Sequence, residues 1–291
     1  MSLSLRGIAT SLFGWIPEKY PELFTSVKEN LPKADIKMTY VTYVSFSILM
    51  SLLIALSSMP LVIAAFLIFK LPFPLIIIFS VFVPFILFFS SFMIFLFYPS
   101  QKANSRRINI ENNLPFILTH IGAVVATGIP PHVVFRLVSK FKEYGEAAKE
   151  FEKIVYSIDV LGIDPLTAIK EVAERTPSDE LKQVLMGFVT TVESGGNVRE
   201  FLKTVADQAM FRWTMKREKF LQQLSTFAEL YTGLLIAAPL FIISLFAVMG
   251  MIQPTLLGYN IHDLMQLSIY ILVPAINIGF LLFLKGIEVP I

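Results

Sequence analysis

Hydrophobic and polar positions divide this chain into long uncharged runs and one mixed central region. Met38–Phe69, Leu71–Gln101, Leu230–Ile261 and Leu264–Leu284 contain no Asp, Glu, Lys or Arg. A membrane-spanning helix needs about 20 apolar residues, so each run predicts one span and none predicts two. Lys70-Leu-Pro-Phe-Pro74 separates the first pair. Its prolines cannot continue a helix without losing backbone hydrogen bonds, which predicts a hairpin turn at a membrane surface. Gln253-Pro254 through Asp263 predicts a similar connection for the second pair. Pro60, Pro84, Pro239 and Pro274 lie inside the apolar runs, where neighbouring helices can absorb a kink.

Residues 102–223 read differently, with both charge signs and helical periodicity. Gly128-Ile-Pro-Pro131, Gly162-Ile-Asp-Pro165 and Gly195-Gly-Asn-Val198 recur at spacings of 34 and 33 residues. Each glycine predicts a helix end that needs a left-handed residue, followed by a new helix opening on Pro or Asn. Asp164 is a predicted N-cap, and Asn197 with Glu200 has capping-box spacing. The period is near that of tetratricopeptide repeats, whose signature residues are absent. The segment therefore predicts a repeated loop–helix unit inside one bundle. From Val198 to Ala238 there is no proline and Gly233 is the only glycine, so the last helix should run straight into the third span.

The expected fold class is all-α, a polytopic membrane protein. Residues 1–37 form an N-terminal segment, 38–101 a transmembrane hairpin, 102–223 a helical bundle, and 224–291 a second transmembrane pair with a short tail. Lys102, Arg106 and Arg107 follow the second span, and Arg212, Lys216, Arg217 and Lys219 precede the third. The opposite side offers only Lys70 and Asp263. The positive-inside rule then places the bundle, the N-terminal segment and the tail with Lys285 in the cytoplasm of a cell-membrane protein. The N-terminal segment lacks a short apolar core after a basic start, so no cleavable signal peptide is expected. Leu5, Ile8, Leu12, Phe13, Trp15 and Ile16 fit a short amphipathic helix, lying either on the membrane surface or against the bundle.

Composition agrees with a bilayer environment. Hydrophobic residues make up 55% and charged residues 16%, against roughly 25% charged in average proteins. The 27 phenylalanines suit lipid-facing helices. The absence of cysteine excludes disulfides and thiolate metal sites, and a net charge of +2 gives no reason to expect nucleic acid.

Enzymatic chemistry finds little support. There is no G-x-x-x-x-G-K-[ST] phosphate loop. His120, His132 and His262 are scattered, without carboxylates at metal-ligand spacing. Asp179-Glu180 after Ser178 reads as acids complementing a helix dipole. No cofactor and no catalytic residue is expected. Glu229, near the cytoplasmic edge of the third span, is the ionisable residue to explain; it reads as an interfacial anchor, a bundle-internal hydrogen-bonding group or a proton relay. Arg106, Arg107, Arg212, Lys216 and Arg217 are candidates for docking anionic lipid or an acidic partner.

Several motifs resemble one family. Asn113-Leu-Pro-Phe-Ile117, Gly128-Ile-Pro130, Gly162-Ile-Asp-Pro-Leu-Thr-Ala-Ile169, Glu174-Arg-Thr-Pro-Ser178 and Ser194-Gly-Gly-Asn-Val-Arg-Glu-Phe-Leu202 resemble the F-domain family of type II secretion, type IV pilus and archaellum machines. Asn30-Leu-Pro-Lys-Ala-Asp-Ile36 looks like archaeal members. The order of two spans, domain and two spans is similar to the short single-domain branch; archaellum members are usually longer, with two such domains. The resemblance implies a non-enzymatic membrane platform. Its expected partners are a secretion-type hexameric ATPase, pilin-like subunits, the lipid bilayer, and a second copy or paralogue. The competing class, a transporter or permease subunit, would need charged or polar residues lining a mid-bilayer path, where this chain offers Phe, Ile, Leu and Ser. A membrane-anchored scaffold has no distinguishing feature.

Overall fold

The computed structural model describes residues 5–69, 73–129, 131–253, 255–256 and 258–287. The predicted turn at Lys70–Pro72, and Pro130 and Pro254, lie outside the described residues. Among the described residues four helices are long and apolar enough to cross a membrane, within Tyr40–Pro60, Phe79–Ala126, Val198–Ile252 and Ile261–Lys285. The chain divides into two units, Met1–Met210 and Phe211–Ile291.

The first unit begins with three short helices, α1 (Leu5–Phe13), α2 (Trp15–Lys19) and α3 (Thr25–Lys33), ahead of α4 (Tyr40–Phe69). After it comes α5, a single helix of 54 residues from Phe73 to Ala126. At 1.5 Å per residue it is about 80 Å long, and it runs unbroken across Gln101 and Lys102 despite Pro84, Pro99 and Pro115. Pro99 has no N–H for the carbonyl four residues back, that of Phe95. Tyr43 of α4 supplies the missing donor: its hydroxyl bonds Phe95 O at 2.8 Å. This bond crosses between two helices, and no local pattern announces it.

Beyond α5 the bundle is built from α6 (Pro131–Val138), α7 (Gly145–Asp159), α8 (Pro165–Arg175), α9 (Asp179–Glu193) and the start of α10 (Val198–Leu230). Its core joins Ile110, Leu114, Ile117, Leu118 and Ile121 of α5 to Val134 and Phe135, Phe151 and Ile154, Ile169, Leu181, Leu185 and Phe188, and Leu202 and Ala206. The Phe135 ring lies 5.3 Å from that of Phe151 and 5.4 Å from that of Phe188. Gly128, Gly162 and Gly195 take φ values of +93°, +66° and +70°, the left-handed geometry expected of helix ends. Asp164 accepts from the N–H groups of Leu166 and Thr167 at 3.1 Å. Ser178 accepts from Leu181 N, and Asn197 from Glu200 N.

In the second unit α10 continues to Leu230 without interruption, as its lack of proline predicts. A π turn over Tyr231–Ala237 leads into α11 (Ala238–Ile252). An antiparallel ribbon, β1 (Thr255–Leu256) with β2 (Tyr259–Asn260), precedes α12 (Ile261–Leu267), a second π turn over Ser268–Leu272, and α13 (Val273–Ile287). Both π turns precede prolines. The Ala238 N–H reaches back to Gly233 O and the Val273 N–H to Ser268 O, one residue before Pro239 and Pro274 respectively. A widened turn relieves the clash between a proline ring and the carbonyl four residues earlier. Thr232 and Ser268 hydroxyls bond the carbonyls of Ala228 and Leu264, so these side chains satisfy themselves within their own helices.

Candidate functional site

Arg106 sits in the bundle-side half of α5, and its surroundings are not those of a docking residue. It is 5% exposed. Its Nε donates to Glu146 at 2.8 Å, one terminal nitrogen donates to Glu150 at 2.5 Å, and the other donates to the Lys33 carbonyl at 2.5 Å. Three donors of the guanidinium fork are thus engaged, by two carboxylates of α7 and the last turn of α3. A buried charge needs such pairing to be tolerated. Arg106 therefore leaves the candidate docking set and becomes a structural tie between α3, α5 and α7.

The tie extends outward. Lys149 pairs with Glu146 at 2.5 Å, and Lys153 bridges Glu150 and Asp35, both at 3.2 Å. Asn109 accepts from the Glu146 N–H at 2.8 Å, in the tight approach that Gly145 makes at φ +57°. Burial raises the pKa of the Glu146 carboxyl, but hydrogen bonds from Lys149 and Arg106, reinforced by their charges, outweigh it and hold the group below its ordinary range. Asn109, Glu146 and Glu150 do not stand out in the sequence. Glu146/Lys149 and Glu150/Lys153 carry a helical charge-pair signal, but Arg106 lies 40 and 44 residues away from the two acids.

The other candidates face solvent. Arg107 is half exposed and lies 3.9 Å from Glu111 one turn on. In the second unit Arg212, Lys216 and Arg217 are exposed on α10, as is Lys219. Arg212, Lys216 and Lys219 fall at i, i+4 and i+7, on one helix face. The Arg217 guanidinium stacks 5.2 Å over the Trp213 ring, a cation–π contact. Exposed Phe211 and Met215 interleave with these cations. Glu229 is exposed on the last turn of α10. Of the histidines, His120 has Nδ1 3.1 Å from the Tyr144 hydroxyl and packs on Phe141, and His262 meets Gln266 at 3.2 Å. The side chain of His132 lies outside the described residues. Asp179 and Glu180 occupy the first turn of α9 behind the Ser178 cap. Among the described residues no cluster of three or more His, Asp or Glu could hold a metal.

The bundle, its punctuation and its continuation into an apolar helix match the family model of type II secretion system protein F over residues 117–246. Residues 117–246 thus match the F domain of that family. The matched segment starts inside α5 and ends inside α11, so it includes the uninterrupted course of α10. Flagella accessory protein J of Methanocaldococcus jannaschii is 26% identical over 174 residues, which cover 60% of this chain and 30% of that protein. Flagella accessory protein J of Methanococcus voltae is 26% identical over 175 residues, with the same coverage. An uncharacterized protein of M. jannaschii is 25% identical over 193 residues, 65% of this chain and 32% of that one. The match thus spans about a third of the length of these relatives. No solved structure matches the chain.

Proposed function

We propose that this chain is a membrane platform for assembling an archaellum, a type IV pilus or a type II secretion pseudopilus. In this reading two spans, a cytoplasmic F domain and two further spans follow one another in a multi-pass cell-membrane protein. The observation that carries it is mechanical. Helices α5 and α10 each join the F domain to an apolar segment without a break, so a push on the bundle has a stiff route towards the bilayer. The two relatives named flagella accessory protein J favour the archaellum.

A hexameric ATPase would dock on the cytoplasmic side, and the spans would guide pilin-like subunits out of the membrane. The chain would hydrolyse nothing itself, since phosphoryl transfer needs a phosphate cradle and a metal-holding acid. Two copies, or one copy with a paralogue, would form the platform. The docking face is the exposed basic run of α10, Arg212, Lys216 and Arg217.

Reversing the charge of Lys216 and Arg217 together tests this face. Binding of the ATPase should weaken most at low salt, with the difference shrinking as salt rises, because exposed charges are screened. A variant that inserts normally and binds as well as wild type would reject the face. Failure of any hexameric ATPase to bind the chain would reject the platform reading. Orientation has its own check: Asp179→Cys should resist membrane-impermeant labelling in intact cells, and efficient labelling would invert the topology.

A further inference from the structure

The N-terminal segment carries an apolar stripe that the protein only half covers. At 3.6 residues per turn, Leu5, Ile8, Ala9, Leu12, Phe13 and Ile16 form one continuous stripe. Helices α1 and α2 pack along α4. On the inner half of the stripe Ala9 is completely buried, and Phe13 and Ile16 join a cluster with Phe24, Val27, Leu31, Tyr43, Val44, Ile48, Phe92 and Leu96. The partners from α4 and α5 belong to helices apolar enough to cross a membrane. On the outer half Leu5 is 60%, Leu12 55% and Trp15 59% exposed, with Leu23 at 76% further on.

We infer that this outer edge, Leu5, Leu12, Trp15 and Leu23, inserts into the headgroup–acyl boundary of a phospholipid bilayer, so that α1 and α2 form a monotopic anchor beside the first span. The inference rests on the reading that α4 and α5 cross the membrane. Continuity names the occupant: the edge adjoins α4, whose own exposed Leu52, Leu53 and Leu56 would face acyl chains. The polar groups are arranged for that boundary. Thr10 and Ser11 bond the carbonyls of Arg6 and Ile8 within α1, leaving neither hydroxyl dependent on water. Exposed Arg6 and Lys19 can reach lipid phosphates by snorkelling. Trp15 and Tyr20 suit the interface, where amphipathic rings concentrate. At the other end of the segment, Arg106 holds the Lys33 carbonyl and Lys153 pairs with Asp35, so the anchor and the F domain share one strap.

Trp15 is one of two tryptophans, and Trp213→Phe makes it the only reporter. In phospholipid vesicles the full-length variant should show blue-shifted emission. Lipids brominated near the headgroup end of the acyl chain should quench it several-fold more strongly than aqueous iodide. The difference between wild type and Trp15→Phe provides the same comparison without altering Trp213. Quenching by iodide and not by lipid would overturn the anchor, as would protection from both, which would mean that protein covers the edge, as a second copy would. A control carrying Trp15→Phe, Trp213→Phe and Leu56→Trp separates the two readings, because its single indole reports from α4. If brominated lipid quenches that indole but not Trp15 of the first variant, only the anchor falls; if it quenches neither, the spanning reading of α4 falls as well.

Discussion

Tyr43 donates its hydroxyl to the carbonyl of Phe95, the carbonyl that Pro99 leaves without a helical donor. One tyrosine on α4 thereby repairs the hydrogen-bond ladder of α5 at the level where the helix leaves its apolar stretch for the bundle. A buried acceptor without a partner costs about 1–3 kcal/mol. Tyr43→Phe should therefore destabilise the detergent-solubilised protein by an amount in that range. Pro99→Ala restores the backbone donor, so Tyr43→Phe should cost clearly less in that background. A double-mutant cycle from denaturation midpoints measures the coupling; equal costs in both backgrounds would dismiss the repair.

Replacing Arg106 leaves two carboxylates and a carbonyl without their shared partner. Breaking such a buried pair typically costs about 3–5 kcal/mol. Arg106→Met should lower the melting temperature sharply and expose the chain near Lys33 to trypsin. Adding Glu146→Gln and Glu150→Gln should recover much of the loss. If Arg106→Met alone melts like wild type, the tie contributes little.

The Glu146 carboxyl titrates below its ordinary value of 4.5 in the folded chain. The unfolded chain then binds more protons in the window just below that value, so stability falls as pH drops through it. The contribution is complete above the ordinary carboxylate pKa. Glu146→Gln should be less stable than wild type near neutrality, and the gap should narrow as the buffer is taken below 4.5. Melting curves across that range decide; a gap independent of pH would assign the loss to packing.

Gly145 combines φ +57° with an ideal Cβ position only 2.5 Å from the Asn109 side-chain oxygen. That oxygen already receives the Glu146 N–H. Gly145→Ala should cost about 1–3 kcal/mol through backbone strain and the displaced bond. Chemical denaturation of the purified protein measures the loss, and a smaller one would show that Asn109 moves aside freely.

Helix continuity can be broken without touching the core. Glu218→Pro in α10 removes a backbone donor and sets a ring against the carbonyl of Thr214, beyond the last buried residue of that helix, Ala209. The variant should insert and keep a melting bundle, and on the proposed platform reading filament assembly in cells should be lost. Normal filaments would show that the bundle does not act through this helix.

Local pattern was enough to read much of this protein. Charge-free runs located the four apolar helices, because a bilayer rejects charge over a fixed length. Gly128, Gly162 and Gly195 marked helix ends, because only glycine adopts a left-handed backbone without cost. The absence of proline after Val198 foretold the uninterrupted α10. The fate of Arg106 was decided by tertiary structure alone. From sequence it stood beside Arg107 in the same basic flank, yet one is buried among Glu146, Glu150 and Lys33 while the other is half exposed. Adjacent positions on a helix point about 100° apart, and which direction meets the bundle depends on helices formed tens of residues later. The same holds for the apolar stripe of α1: its period is written in Leu5 to Ile16, but the division into a face on α4 and an open edge appears only once α4 lies against it.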